Sequence, residues 1–311
     1  MGQTEYVLRV GEEEVEEQKR RLGMIREFKE NQRLQLAIFI FVVLISGWLG
    51  VLLDSMLTEQ PKGNSLGMGL WLVLPFFTVL LLRFISRDWK GFGVKLHFRG
   101  NLKWYLVSLV IYPIVTILTV GTAWLFGFVR LSHFESNTFF SLVAVALFGS
   151  FVKNIFEEFS WRGYLTPKLI ELKLNDWLLY LISGLVWALW HMAYYLVLLP
   201  DEVFESLSRV GYVWSGCVIM VCWAVMYVEL YRLTRSVWPC VLMHAMEDAI
   251  PTVLVTTSGV VTLKNPGDLL LNPTYGVITT VLFLGIGLLL RAIRIKKEQR
   301  ENMNIKRSLT I

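Results

Sequence analysis

The chain has 311 residues and a formal charge of +5; 55% of it is apolar, 18% is charged, and its mean hydropathy is +0.53. A soluble domain carries roughly 45–50% apolar and about 25% charged residues, so an ordinary soluble globule is excluded, as are a disordered chain, a collagen and a disulfide scaffold. Its three cysteines, Cys217, Cys222 and Cys240, lie in or beside apolar stretches and read as small buried hydrophobes.

Residues 1–33 are polar, and 12–30 within them (EEEVEEQKRRLGMIREFKE) reads as a charged amphipathic helix on the membrane surface, with Val15, Leu22, Ile25 and Phe28 on one side. Eight apolar runs follow, at 34–53, 66–85, 104–128, 139–160, 177–199, 211–231, 238–256 and 273–291. A helix needs about 20 apolar residues to cross about 30 Å of hydrocarbon, and an open strand edge has no partner in lipid, so each run predicts a transmembrane helix. The expected fold is therefore all-α and polytopic, with about eight transmembrane helices. The segment 86–103 (basic and aromatic) predicts an interfacial loop, and 294–311 a basic cytoplasmic tail.

The basic residues between the runs support this map. Lys plus Arg number seven in 1–33, one in 54–65, six in 83–103, one in 129–138, three in 160–176, one in 200–210, two in 232–237, one in 257–272 and seven in 291–311. Rich and poor segments alternate, which the positive-inside rule reads as eight spans with both termini in the cytoplasm of a cell (inner) membrane. The charge is thus a topology signal and a contact for membrane lipids, not a nucleic-acid footprint. With no internal repeat and no long linker, the economical organisation is an N-terminal segment 1–33, one membrane domain 34–293 with its chemistry in 139–256, and the tail. Gly47, Gly50, Gly67 and Gly69 predict close helix packing or a lateral opening.

Ionisable residues inside apolar runs cost roughly 2.5–3.5 kcal/mol each on insertion scales and are functional candidates by default. Three clusters qualify. The first is Glu157-Glu158-Phe159-Ser160-Trp161-Arg162 at the end of the fourth run. Arg162 follows Glu158 by four residues on one helical face, an internal ion pair; Glu157 is left without a local partner, free to serve as a base or a metal ligand. The second is Trp187-Ala188-Leu189-Trp190-His191, where Trp187 sits one turn before His191 and is placed to wall off one side of it. The third is His244-Ala245-Met246-Glu247-Asp248. His244 and Asp248, at i and i+4, offer two groups to one metal or water; Glu247, at i+3, is the rival. Each cluster alone reads equally well as an inter-helix polar contact or a wet helix end. Jointly, Glu157, His191, His244 and Asp248 are a hydrolase set carried on three helices.

In order and spacing these motifs resemble the CAAX protease and bacteriocin-processing (CPBP, or Abi) family of intramembrane proteases, whose pattern is Glu-Glu-x-x-x-Arg, Phe-x-x-x-His and His-x-x-x-Asn or Asp. Here Trp187 stands for the usual Phe and Asp248 for the commoner Asn. The resemblance implies hydrolysis of a peptide bond in a membrane-bound or lipidated peptide or protein. Glu157 would activate water with help from His191, His244 and Asp248 would hold a metal or stabilise the oxyanion, and Glu158 and Arg162 would support them. It leaves two mechanisms open: a Zn2+ ion held among His191, His244, Asp248 and Glu157, or a glutamate-type mechanism. No HExxH helix and no serine or cysteine paired with a histidine is visible. Two other classes remain, a non-catalytic immunity or signalling scaffold on the same fold and a proton-coupled transporter, the latter disfavoured by the absence of repeated halves.

Overall fold

The computed structural model describes residue 23, residues 31–204 and residues 207–309. The amphipathic segment expected over 12–30 lies outside these apart from Gly23. The described chain is helical almost throughout. In order it forms α1 (Gln32–Met56), α2 (Leu66–Ser86), α3 (Leu102–Leu125), α4 (Ser136–Ser160), short α5 (Thr166–Glu171), α6 (Asp176–Trp190), α7 (Arg209–Thr234), α8 (Trp238–Thr252), short α9 (Gly267–Leu271) and α10 (Val277–Leu309).

The starts are written in the sequence. Asn31, Ser65, Asn175 and Ser208 each precede a helix and accept a hydrogen bond from the backbone N–H three residues on, at 2.9–3.1 Å. Arg87 and Arg235, at φ 55°, stop α2 and α7 in the left-handed conformation.

Packing follows small residues and aromatics. A Cβ placed on Gly67 would lie 2.1 Å from the Gly50 carbonyl oxygen, so α1 and α2 meet backbone to backbone; a Cβ on Gly184 would lie 2.4 Å from Val221 Cα, which does the same for α6 and α7. Of the four early glycines, Gly47, Gly50 and Gly67 face neighbouring helices, whereas Gly69 faces none among the described residues. The interior is built of bulky rings, including Trp161, Trp187, Trp190, Tyr112, Tyr227 and Phe283. The outside is apolar as well: Phe84, Ile117, Phe148 and Trp214 are each at least 70% exposed. So greasy an exterior suits acyl chains rather than water.

Among the described residues, seven helices are long and apolar enough to cross a membrane, against eight expected. The exception is α8, the expected seventh span. Its α-helical part is 15 residues long and carries His244, Glu247 and Asp248; Pro251 lies near its end, and the chain continues as a wider π turn over Val253–Thr257. The ionisable side chains that make it a candidate for the site also remove it from the apolar set. Two further differences are small. An antiparallel ribbon of three-residue strands, β1 (Val129–Leu131) and β2 (Val261–Leu263), joins the loops after α3 and α8. And α10 runs without a break from the last span into the basic segment.

Candidate active site within the membrane

Glu157 and Glu158 lie in the last turn of α4, His191 caps the C-terminus of α6, and His244 and Asp248 lie on α8. α4 continues through a π turn (Trp161–Leu165) into α5, making one helical stretch of 36 residues from Ser136 to Glu171. The chain then turns back at 172–175 into α6. Glu157 lies 15 residues before Leu172 and His191 lies 16 residues after Asn175, so the two reach similar distances from the shared turn. The boundaries of the apolar runs place His191 deeper than Glu157. The extension of α4 past Trp161 removes that mismatch, and α6 begins at Asp176, one residue before the expected start of the fifth span.

Each motif is followed by a π turn: Trp161–Leu165 begins three residues after Glu158, Tyr194–Leu198 three after His191, and Val253–Thr257 five after Asp248. Single-turn π segments inside helices cluster at functional sites because they re-aim side chains within a helix. Arg83 of α2 steadies the first of them, donating from Nη2 to the Gly163 carbonyl at 2.5 Å and from Nη1 to the Asp88 and Lys90 carbonyls at 2.7 and 3.1 Å.

The pair expected between Glu158 and Arg162 forms at 2.9 Å, with both side chains fully buried. The Arg162 guanidinium also lies over the rings of Trp187 (4.5 Å) and Tyr227 (4.2 Å). Glu158 Oε1 accepts a second bond, from His244 Nδ1 at 2.8 Å. His191 Nδ1 lies 2.9 Å from the Trp187 carbonyl oxygen, which can only accept, so Nδ1 carries the proton. Both histidines are thus tied through Nδ1, and Nε2 is the nitrogen each has left for a ligand, a water or a substrate.

Two expectations need correction. Trp187 does not wall off His191. Its backbone carbonyl holds that ring, while its indole packs edge-on against His244 at 5.5 Å. The walls of His191 are Trp71, Trp190, Tyr194 and Tyr195, with centroids 4.7–5.9 Å away. Nor is Glu157 without a local partner: Lys153, one turn earlier, lies 3.5 Å from its Oε1. Glu157 Oε2, in a residue only 3% exposed, has no hydrogen-bond partner among the described residues.

Lys153 and Asn154 are site neighbours that sequence reasoning missed. Lys153 Nζ lies 2.9 Å from Asp248 Oδ2 and 3.1 Å from Oδ1, and Asn154 donates to Oδ2 at 2.8 Å. A signal existed: of the 30 Lys and Arg residues, Lys153 alone falls outside the segments that form the alternating charge count. Glu247, the rival to Asp248, joins the cluster. One ligand atom each from His244, Glu247 and Asp248 lie within 4.8 Å of one another. Lys153, His244, His191 and Asp248 all lie within electrostatic reach of Glu157, so the three motifs come near one another.

Among the described residues, the donors close enough together to suit a zinc ion are those of His244, Glu247 and Asp248, with His244 oriented through Nδ1 by the Glu158 carboxylate, as ligating histidines are; His191 and Glu157, expected to join them, are not in that group. The competing cation is already in place: the Lys153 ammonium lies against Asp248.

Against known proteins, residues 138–250 match the family model described as Rce1-like, type II CAAX prenyl endopeptidase. No curated protein matches the chain. The matched segment runs from the start of α4 into α8 and contains all three motifs and both of the missed neighbours. It is the segment that the sequence pattern marked, and it is carried on a bundle of membrane-length helices. The chain is an integral membrane protein whose residues 138–250 match the model of the Rce1-like, type II CAAX prenyl endopeptidase family.

Proposed function

We propose that the protein is an intramembrane endopeptidase that cleaves a membrane-bound or lipidated peptide, a prenylated CAAX sequence being the substrate class that its family name suggests. The observation that carries this reading is the buried, unpartnered Oε2 of Glu157, in electrostatic contact with His191 and His244. A buried polar atom without a partner is costly, and a water bound there would relieve it.

In this reading Glu157 Oε2 accepts a proton from that water while His191 Nε2, fixed as an acceptor by its Nδ1–H bond, orients it. The resulting hydroxide attacks the scissile carbonyl. Charge develops on the carbonyl oxygen, where a protonated His244, held through Nδ1 by Glu158, donates from Nε2. Glu157 then returns its proton to the departing amine, which closes the cycle. A zinc ion, if bound, would be held by His244 and the carboxylates beside it, and it would supply a lowered water pKa and a polarised carbonyl. Arg162 pairs with Glu158, which in turn holds His244 in place.

The test is hydrolysis of a fluorogenic farnesylated CAAX peptide by the full chain in liposomes. Glu157→Gln is expected to lower kcat by about 10²–10⁴-fold, the usual worth of a general base. Wild-type kcat in that variant would remove Glu157 from the chemistry.

A further inference from the structure

Lys153 and Asp248 are the pair that the reading above does not use. Asp248 brings a further carboxylate to the site, and an ammonium lies beside it. Three details set Lys153 apart from a helix-surface ion pair. It precedes Glu157 by four residues, base before acid, which is the weaker order for stabilising a helix. Its shorter contact is across to another helix, 2.9 Å to Asp248 against 3.5 Å to Glu157. And its neighbour Asn154, fully buried, donates to the same carboxylate, so two successive residues of α4 grip one side chain of α8.

We propose that Lys153 is a positioning residue of this site: its ammonium bridges Asp248 and Glu157, locks α4 to α8 beside the reacting atoms, and cancels the extra charge that Asp248 brings. Glu157 comes from α4 and His244 from α8, four residues before Asp248. The bridge therefore fixes the distance between the base and the oxyanion donor. It also accounts for the charge. Arg162 offsets Glu158 and Lys153 offsets Asp248, which leaves the negative charge of Glu157 available as the base. Glu247 also lies within electrostatic reach of Lys153, so the ammonium faces three acids. Its side chain remains 36% exposed, while Glu157 is 3% exposed.

The proposal rests on the endopeptidase reading for its kinetic arm and on geometry alone for its thermal arm. Full-length Lys153→Met, Lys153→Arg, Asp248→Asn and the double variant Lys153→Met/Asp248→Asn are compared with wild type, with Glu157→Gln as the control. The farnesylated CAAX peptide in liposomes gives kcat and KM, and detergent unfolding gives Tm. Lys153→Met is expected to lower kcat about a hundredfold, the cost of a misplaced reacting group, with KM little changed. Lys153→Arg keeps the charge and recovers most of the rate. The double variant is neutral at both positions, and the amide introduced on α8 can still accept from Asn154, so it recovers about tenfold over Lys153→Met. In Tm, the loss in the double variant is smaller than the sum of the single losses. Wild-type kcat in Lys153→Met, or a double variant no faster than Lys153→Met, overturns the proposal while Glu157→Gln still reports on the base. If no variant and no wild type cleaves the peptide, the endopeptidase reading fails on that substrate, and additive Tm losses then overturn the bridge independently.

Discussion

Glu158 shows how much one side chain can hold. Fully buried, it takes a guanidinium from its own helix at 2.9 Å and an imidazole from α8 at 2.8 Å. Removing one partner from a buried ion pair leaves an uncompensated charge, so Glu158→Gln is expected to destabilise the protein by about 3–5 kcal/mol, read as a lowered unfolding midpoint in detergent. An unchanged midpoint would mean that the pair is dispensable to folding. Outside the membrane helices, Asp88 makes a pH prediction. Partial burial alone would raise its pKa, but the hydrogen bond and charge of Lys168, 2.5 Å away, together with the Lys90 N–H, hold it below the ordinary carboxylate value of 3.8. A depressed folded-state pKa means stabilisation that is present above the unfolded value and lost as pH falls through the folded one. Wild type should therefore unfold at a higher temperature than Asp88→Asn at pH 6, and the gap should close below about pH 4. A gap that persists in acid would contradict the assignment. The legibility of the site follows the same lines. Glu158–Arg162 was readable because both residues lie on one helical face at i, i+4. The Lys153–Asp248 contact joins residues 95 apart in sequence, and no local spacing announces it.

At the scale of elements, hydrophobic periodicity and capping residues made the helices legible, while departures from α-helical register were invisible. The π turns over Trp161–Leu165, Tyr194–Leu198 and Val253–Thr257, which follow Glu157, His191 and Asp248, leave no composition signal. α8 was readable as an apolar run but not as a helix too short and too polar to count as a span. The last helix is held by charge, away from this pocket. Arg294 of α10 donates to Glu229 of α7 at 2.5 Å and to Asp176 of α6 at 2.6 Å, and Arg291 and Arg232 meet the same Asp176 at 2.9 and 2.6 Å. Tyr180 completes the cluster on Glu229. Arg294→Met is expected to lower stability by about 3–5 kcal/mol through the stranded Glu229, whereas Arg300→Met, on the exposed end of α10, should stay within about 0.5 kcal/mol. Equal effects in detergent unfolding would deny the clamp.

For the molecule as a whole, composition already excluded water as the solvent, and the fold explains the excess of apolar residues: rings inside, aliphatic and aromatic side chains outside. Two of the charge clusters join separate helices deep in the bundle: the one that ties α6, α7 and α10, and the one between α4 and α8. Every residue of the second (Lys153, Glu157 and Asp248) lies within the matched residues 138–250. The central claim is that Glu157, His191 and His244 act as one unit although they come from separate helices. The measurement that tests it most directly is a double-mutant cycle on kcat in liposomes, with Glu157→Gln, His244→Ala and the two combined, using the farnesylated CAAX peptide. Residues that share one transition state lose nearly everything singly and little more together. The account predicts a double variant no slower than the worse single one; losses that multiply, or wild-type rates in either single variant, would contradict it.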